Sequence, residues 1–92
     1  MYRFRDMVIE GKMFEAMERY IKHGIIPGDF LQAVIANDLF LAVGRADKEN
    51  ERLIPAYVVY FYNKAPDDCH GSKEIMIAYS AKKQKEREES EK

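Results

Sequence analysis

The sequence predicts an all-α fold: a small bundle of four or five short helices carrying a polar helical extension at its carboxy terminus. Three observations lead there. Apolar residues from Met13 to Ile21 recur at helical rather than alternating spacing. Glycine, proline and acidic residues stand where such segments would stop and restart. The chain has 92 residues, 47% hydrophobic and 34% charged, which suits one packed domain rather than a disordered or membrane-embedded chain.

The opening segment M-Y-R-F-R-D-M-V-I-E holds four charged residues among its apolar ones and no apolar run of signal-peptide length. It reads as an arm whose aromatics, Tyr2 and Phe4, pack on the core. In M-F-E-A-M-E-R-Y-I, residues Met13, Phe14, Met17, Tyr20 and Ile21 share one helical face, with Glu15, Glu18, Arg19 and Lys22 opposite. His23-Gly24 stops this helix, because glycine takes the left-handed conformation without a Cβ clash. Lys22 suits the negative helix end.

Ile25-Ile26-Pro27-Gly28 is a turn, since proline biases the residue before it away from helical geometry. Gly28 or Asp29 caps a second helix with Phe30, Leu31, Val34 and Ile35 on its buried face. Asp38 caps a third, short helix holding Leu39, Phe40 and Val43 inward. Asp47 caps a fourth, which Pro55 either kinks or ends by starting a new one. The run A-Y-V-V-Y-F-Y has strand propensity, but its flanks are helical in pattern and no partner strand is evident, so a central helix is expected. Asn63 to Pro66 closes it, D-D-C-H-G-S is a loop, and Ser72 caps a last helix with Ile75, Met76 and Tyr79 on its apolar stripe. Residues 1–81 then form one helical domain, and 82–92, all polar, a charged extension.

Composition narrows the function classes. A net charge of −1 disfavours both a protein built to neutralise phosphates and an acidic mimic of nucleic acid. Cys69 is the only cysteine, so no internal disulfide can form. The longest apolar run, Ala56 to Tyr62, falls far short of the roughly 20 residues that span a bilayer. These features lead us to expect a soluble, intracellular protein without a membrane partner.

Four stretches, H-G-I-I-P-G-D-F-L-Q-A-V-I-A-N-D-L, G-R-A-D-K-E-N, Y-F-Y-N-K-A-P and C-H-G-S, come in an order that resembles a family of small proteins encoded by bacteriophages and prophages. Its members typically read G-I-P-P-G-x-F-L-x-A-V-L-x-N-D-L, R-A-D-x-x-N, Y-N-x-A-P and C-W-G-S. The likeness covers residues 19 to 79. Ile26 replaces the family's first proline, and His70 replaces its tryptophan with a smaller, titratable ring. The resemblance implies a phage accessory protein in the bacterial host cytoplasm and brings no established chemistry with it.

Residues able to carry chemistry are few. Asp67, Asp68, Cys69 and His70 are metal-ligand types, with His23 a further candidate, but adjacent side chains rarely converge on one ion and the spacing of paired ligands is missing. Cys69 with His70 or His23 as base lacks a Gly-rich oxyanion element. Neither G-x-x-x-x-G-K-[ST], H-E-x-x-H nor G-x-G-x-x-G occurs. No enzymatic activity, metal or cofactor is therefore expected. The surplus is apolar: Leu41, Tyr57, Tyr60, Tyr62 and Ile77 exceed what a small core easily satisfies, and interface tyrosine can keep one end wet. They are the candidate protein-interaction residues, for a host or defence protein, in the manner of an anti-CRISPR-type inhibitor, or for a second copy of the chain. The alternative is a nucleic-acid-associated factor of phage DNA metabolism or regulation, using Arg3, Arg5, Lys82 and Lys83.

Overall fold

The computed structural model describes residues 1–90. They form a helical bundle of six α-helices, α1 (Gly11–His23), α2 (Asp29–Ile35), α3 (Leu39–Arg45), α4 (Lys48–Arg52), α5 (Ile54–Lys64) and α6 (Lys73–Ser90), with a 3-10 turn at Asp67–Cys69. The all-α expectation holds. The helix count exceeds four or five because Pro55 lies in the first turn of α5 instead of kinking one longer helix. There proline's missing N–H costs nothing. The A-Y-V-V-Y-F-Y run is helical throughout.

The amino-terminal arm differs from expectation. It is a hairpin of β1 (Tyr2–Phe4) and β2 (Met7–Ile9), antiparallel, with Tyr2 opposite Ile9 and Phe4 opposite Met7. Arg5 turns the chain at φ 56°, and its guanidinium lies 5.0 Å from the Phe4 ring centroid. Alternation along β1 leaves Arg3 exposed and sends Tyr2 and Phe4 inward. Tyr2 meets Tyr60 of α5 edge-on, ring centroids 5.1 Å apart. The aromatics do pack on the core, as read from the sequence, but from a strand.

The punctuation residues act where expected. Gly24 takes φ 71° after α1, and α6 crosses it so closely that an added Cβ would lie 2.9 Å from the Ser80 carbonyl oxygen. Ser80 Oγ donates back to the Gly24 carbonyl at 2.6 Å. Asp38 Oδ1 accepts from the Leu41 amide at 3.0 Å and Asp47 Oδ1 from Asn50 at 2.7 Å, capping α3 and α4. Ser72 Oγ accepts from Ile75 N at 3.1 Å and opens α6.

Ile9, Met17, Tyr20, Ile35, Tyr57 and Cys69 are the largest side chains sealed in the core. Three of its tyrosines donate to other elements: Tyr20 Oη to the Cys69 carbonyl at 2.6 Å, Tyr57 Oη to Asn50 Oδ1 at 2.7 Å, and Tyr79 Oη to the Ile21 carbonyl. These bonds tie α1 to the Asp67–Cys69 turn, α5 to α4 and α6 to α1.

α6 runs unbroken across the boundary expected at 81/82, and its first residues beyond it still touch the body. Lys82 Nζ pairs with Asp68 at 3.0 Å, and half-buried Lys83 lies over the Tyr79 ring. From Gln84 to Ser90 every residue is exposed, as a polar extension requires. Glu91 and Lys92, the end of that extension, lie outside the described residues. No helix of the described residues is long and apolar enough to cross a membrane.

Candidate functional site

The five candidate interaction residues divide. Tyr57 is 0% exposed and Tyr60 8%, so neither offers a contact surface. The sequence reading placed too many hydroxyls for a small core, yet Asn50 takes one and the hairpin covers the other ring. Burial, with Asp47 and Glu49 nearby, pushes the Tyr57 phenol up to about 12. Burial raises Tyr60 as well. Tyr62, Leu41 and Ile77 are exposed.

The main apolar surface lies on α3, where the sequence suggested burial. Ala42 is the residue α3 turns inward, 3% exposed. Leu39, Phe40 and Val43 point out, and Phe40 is 89% exposed. The helical period explains the arrangement. Leu39 and Val43 are one turn apart on the flank next to Ala42, and Phe40 continues the ridge toward solvent. α3 has seven residues and is apolar almost all round, so whichever side meets α2 leaves large side chains in water on the others.

Beside this ridge runs a groove. Leu39 and Val58 line one depression with Val34, Asn37, Asp38 and Ile54. Val34, Asn37 and Val58 continue into a second, of about 220 Å³, that Tyr62 and His70 close. Val58 and Tyr62 are one turn apart on the outer face of α5, 53% and 77% exposed. The windows 39–44 and 53–62 contain no Asp, Glu, Lys, Arg or His, so the ridge and the α5 wall carry no charge, while half-buried Asp38 lines the groove between them.

At the end of the groove His70 packs edge-on against Phe61, ring centroids 6.1 Å apart. The Gly71 amide donates to the Ile35 carbonyl at 2.8 Å and pins this loop to α2. His70 Nε2 is buried without a hydrogen-bond partner among the described residues. A mostly apolar groove with a few polar side chains, here Asn37, Asp38 and His70, is the usual make-up of a binding surface.

The remaining candidates do not converge. Leu41 lies on the opposite flank of α3, in a depression with Arg45, Lys73 and Met76. Ile77 stands on α6, one turn along from Lys73. Arg3 and Arg5 are exposed on the hairpin, whereas Lys82 is engaged by Asp68 and Lys83 by Glu86 at 3.3 Å.

Cys69 is sealed, and burial together with Asp68 pushes its thiol up to about 12. At neutral pH it is a protonated, inaccessible thiol, whereas nucleophilic attack and metal ligation need the thiolate. His23 is exposed at the end of α1, and Asp68 is turned to Lys82, which holds its carboxyl below the usual range. Among the described residues no group of three or more His, Cys, Asp or Glu is placed to hold a metal ion.

The sequence reading missed Phe40, Leu39, Val43 and Val58 as surface residues. The available signal was Ala42, the one small side chain among bulky neighbours and the natural choice for close approach to α2. Comparison with protein-family models, with curated proteins and with solved structures finds no match to this chain.

Proposed function

We propose that this chain is a non-enzymatic phage accessory protein that acts in the bacterial cytoplasm by binding a host or defence protein, with the α3–α5 face as its docking surface. One observation carries the binding part: Phe40, 89% exposed, crowns a charge-free ridge beside a mostly apolar groove. Large aromatics in such surroundings supply most of the energy of protein association. The phage part rests on the four ordered sequence motifs. A non-catalytic role is supported by the sealed, protonated state of Cys69.

The nucleic-acid alternative is weakened by the tail, where Lys82 and Lys83 are matched by Asp68 and Glu86. Of the four cations named for it, Arg3 and Arg5 are the two without an ion pair among the described residues. The immobilised chain should capture a protein from bacterial lysate that survives nuclease treatment and about 200 mM salt, conditions that strip phosphate-driven contacts. Phe40→Glu should lose that protein, while a variant with both Arg3→Ala and Arg5→Ala keeps it. If nucleic acid is all that comes down, and nuclease removes it, the proposal fails.

A further inference from the structure

We propose that the cleft between α2, α3 and α6 is a separate binding site for an extended peptide segment of a partner protein, one with a single acidic side chain two residues from an apolar one. The cleft lies on the flank of α3 away from the α3–α5 face, so neither proposal depends on the other. Two unpaired cations, the place of one of them and the spacing along α3 support it.

The cleft has a volume of about 170 Å³, below the roughly 300–1,000 Å³ of sites that enclose a whole small molecule. It has room for one or two side chains. Ala33, Ala36, Leu41 and Met76 supply its apolar lining, and Leu41 is 45% exposed. Two cations join that lining from elements far apart in sequence, Arg45 of α3 and Lys73 of α6. Both are exposed, and neither makes an ion pair among the described residues. Lys22 and Lys82, which line other depressions, each pair with a carboxylate lining the same depression, Glu18 and Asp68.

Lys73 is also ill placed for its own helix. It is the first residue of α6, where the positive end of the helix dipole favours an anion and opposes a cation. Exposed Glu74 follows it but does not line the cleft. Arg45 engages a backbone carbonyl, that of Asp29, at 3.3 Å. A carboxylate that reaches both the guanidinium and the ammonium supplies the charge each lacks.

Asp38 restricts the ligand to one acid. It lines the same cleft, with its Oδ1 taken by the Leu41 amide. Seven residues separate it from Arg45, about 10 Å along the helix axis. A second carboxylate at that end would meet a like charge, which is costly, so a polyanion such as a nucleic-acid strand fits poorly. Asp38, Leu41 and Arg45 follow one another at i, i+3 and i+7, along one side of α3. Leu41 and Arg45 are therefore about 5.4 Å apart along the axis. Alternate side chains of an extended strand point the same way at about 6.6 Å. An apolar side chain resting on Leu41 thus brings an acid two residues on to Arg45 and Lys73.

NMR titration of the isotope-labelled full chain with the blocked pentapeptide Gly-Leu-Gly-Glu-Gly tests this. The amide signals of Leu41, Arg45, Lys73 and Met76 should move together and saturate, with a dissociation constant of about 1 mM. Each exposed ion pair contributes about threefold, so replacing the peptide's Glu by Gln should weaken binding about tenfold. Arg45→Gln combined with Lys73→Gln should do the same to the Glu peptide, with circular dichroism showing the variant folded. Val58→Ser, on the α3–α5 face, should leave the titration unchanged. Signals that stay still overturn the proposal, as do movements that acetate alone reproduces or a Gln peptide that binds as well. A double variant that binds like the parent, loss of binding in Val58→Ser, or an oligothymidylate that occupies the same residues more tightly than the peptide would overturn it too.

Discussion

The two ends of the tyrosine population behave oppositely. Tyr20, Tyr57 and Tyr79 sit inside, each with its hydroxyl donated to a named oxygen on another element. Tyr62, in the same run of α5 as Tyr57, is 77% exposed and belongs to the apolar face with Phe40. The inner set fastens helix to helix, and every polar atom it buries is matched. The outer set contacts little of its own chain. Stability should therefore reside in the first region and association in the second, and perturbations of one should leave the other almost untouched.

The largest separation should come from alkaline pH. Burial is the main cause that lifts Tyr57 and Tyr79 from their ordinary 10.0 to about 12 and Cys69 from 9.0 to about 12, and it raises Tyr20 as well. The unfolded chain releases these protons first. Stability is thus complete below about pH 9 and falls as pH rises toward 12, by roughly 1 kcal/mol or more per pH unit for each group in its window. Urea midpoints should hold steady from pH 7 to about 9 and then drop steeply. A flat profile to pH 11 would mean that the tyrosine hydroxyls are not sealed.

Next comes truncation of the inner set. Tyr57→Ala removes a fully buried ring, its edge-on contact with Phe30 at 5.2 Å and the bond to Asn50. A cost of about 3–5 kcal/mol is expected in chemical denaturation. Gly24→Ala should follow at about 2 kcal/mol, because φ is positive there and the new Cβ would lie 2.6 Å from Lys83 Cβ and 2.9 Å from the Ser80 oxygen. The backbone carbonyl cannot swing aside, so α1 and α6 must separate. A variant as stable as the parent would show that the α1–α6 crossing is not close.

The contrast between regions also explains what the sequence could and could not disclose. Caps are local: Asp38, Asp47 and Ser72 each bond to an amide three residues on, so the helix boundaries they set were readable from residue type alone. The stop at Gly24 was readable for the same reason. The hairpin was not, because strands of three residues are too short to display a period, and Arg5 adopts a left-handed turn usually signalled by Gly or Asn. The direction α3 faces was not readable either. Leu39, Phe40, Leu41 and Val43 offer apolar residues on every side, and only packing against α2 selects Ala42. The same ambiguity reversed Tyr57 and Tyr60, whose partners Asn50 and Tyr2 come from other elements. Of the expected interaction residues, Tyr57 and Tyr60 lie in the core while Tyr62, Leu41 and Ile77 are exposed, and the still more exposed Phe40 was not among them.

The smallest effect on stability should come from the most exposed aromatic. Phe40→Ser removes a ring that is 89% in water. Transfer of that ring out of solvent contributes almost nothing to folding, and neither Ala42 nor the Asp38 cap is disturbed. A change within about 0.5 kcal/mol is expected, as for ordinary surface positions. Should urea titration instead reveal a loss of 2 kcal/mol or more, comparable to a core truncation, Phe40 would be packing within its own chain. The apolar face would then be part of the fold, and the division between a stabilising interior and an associating surface would collapse at its most exposed residue.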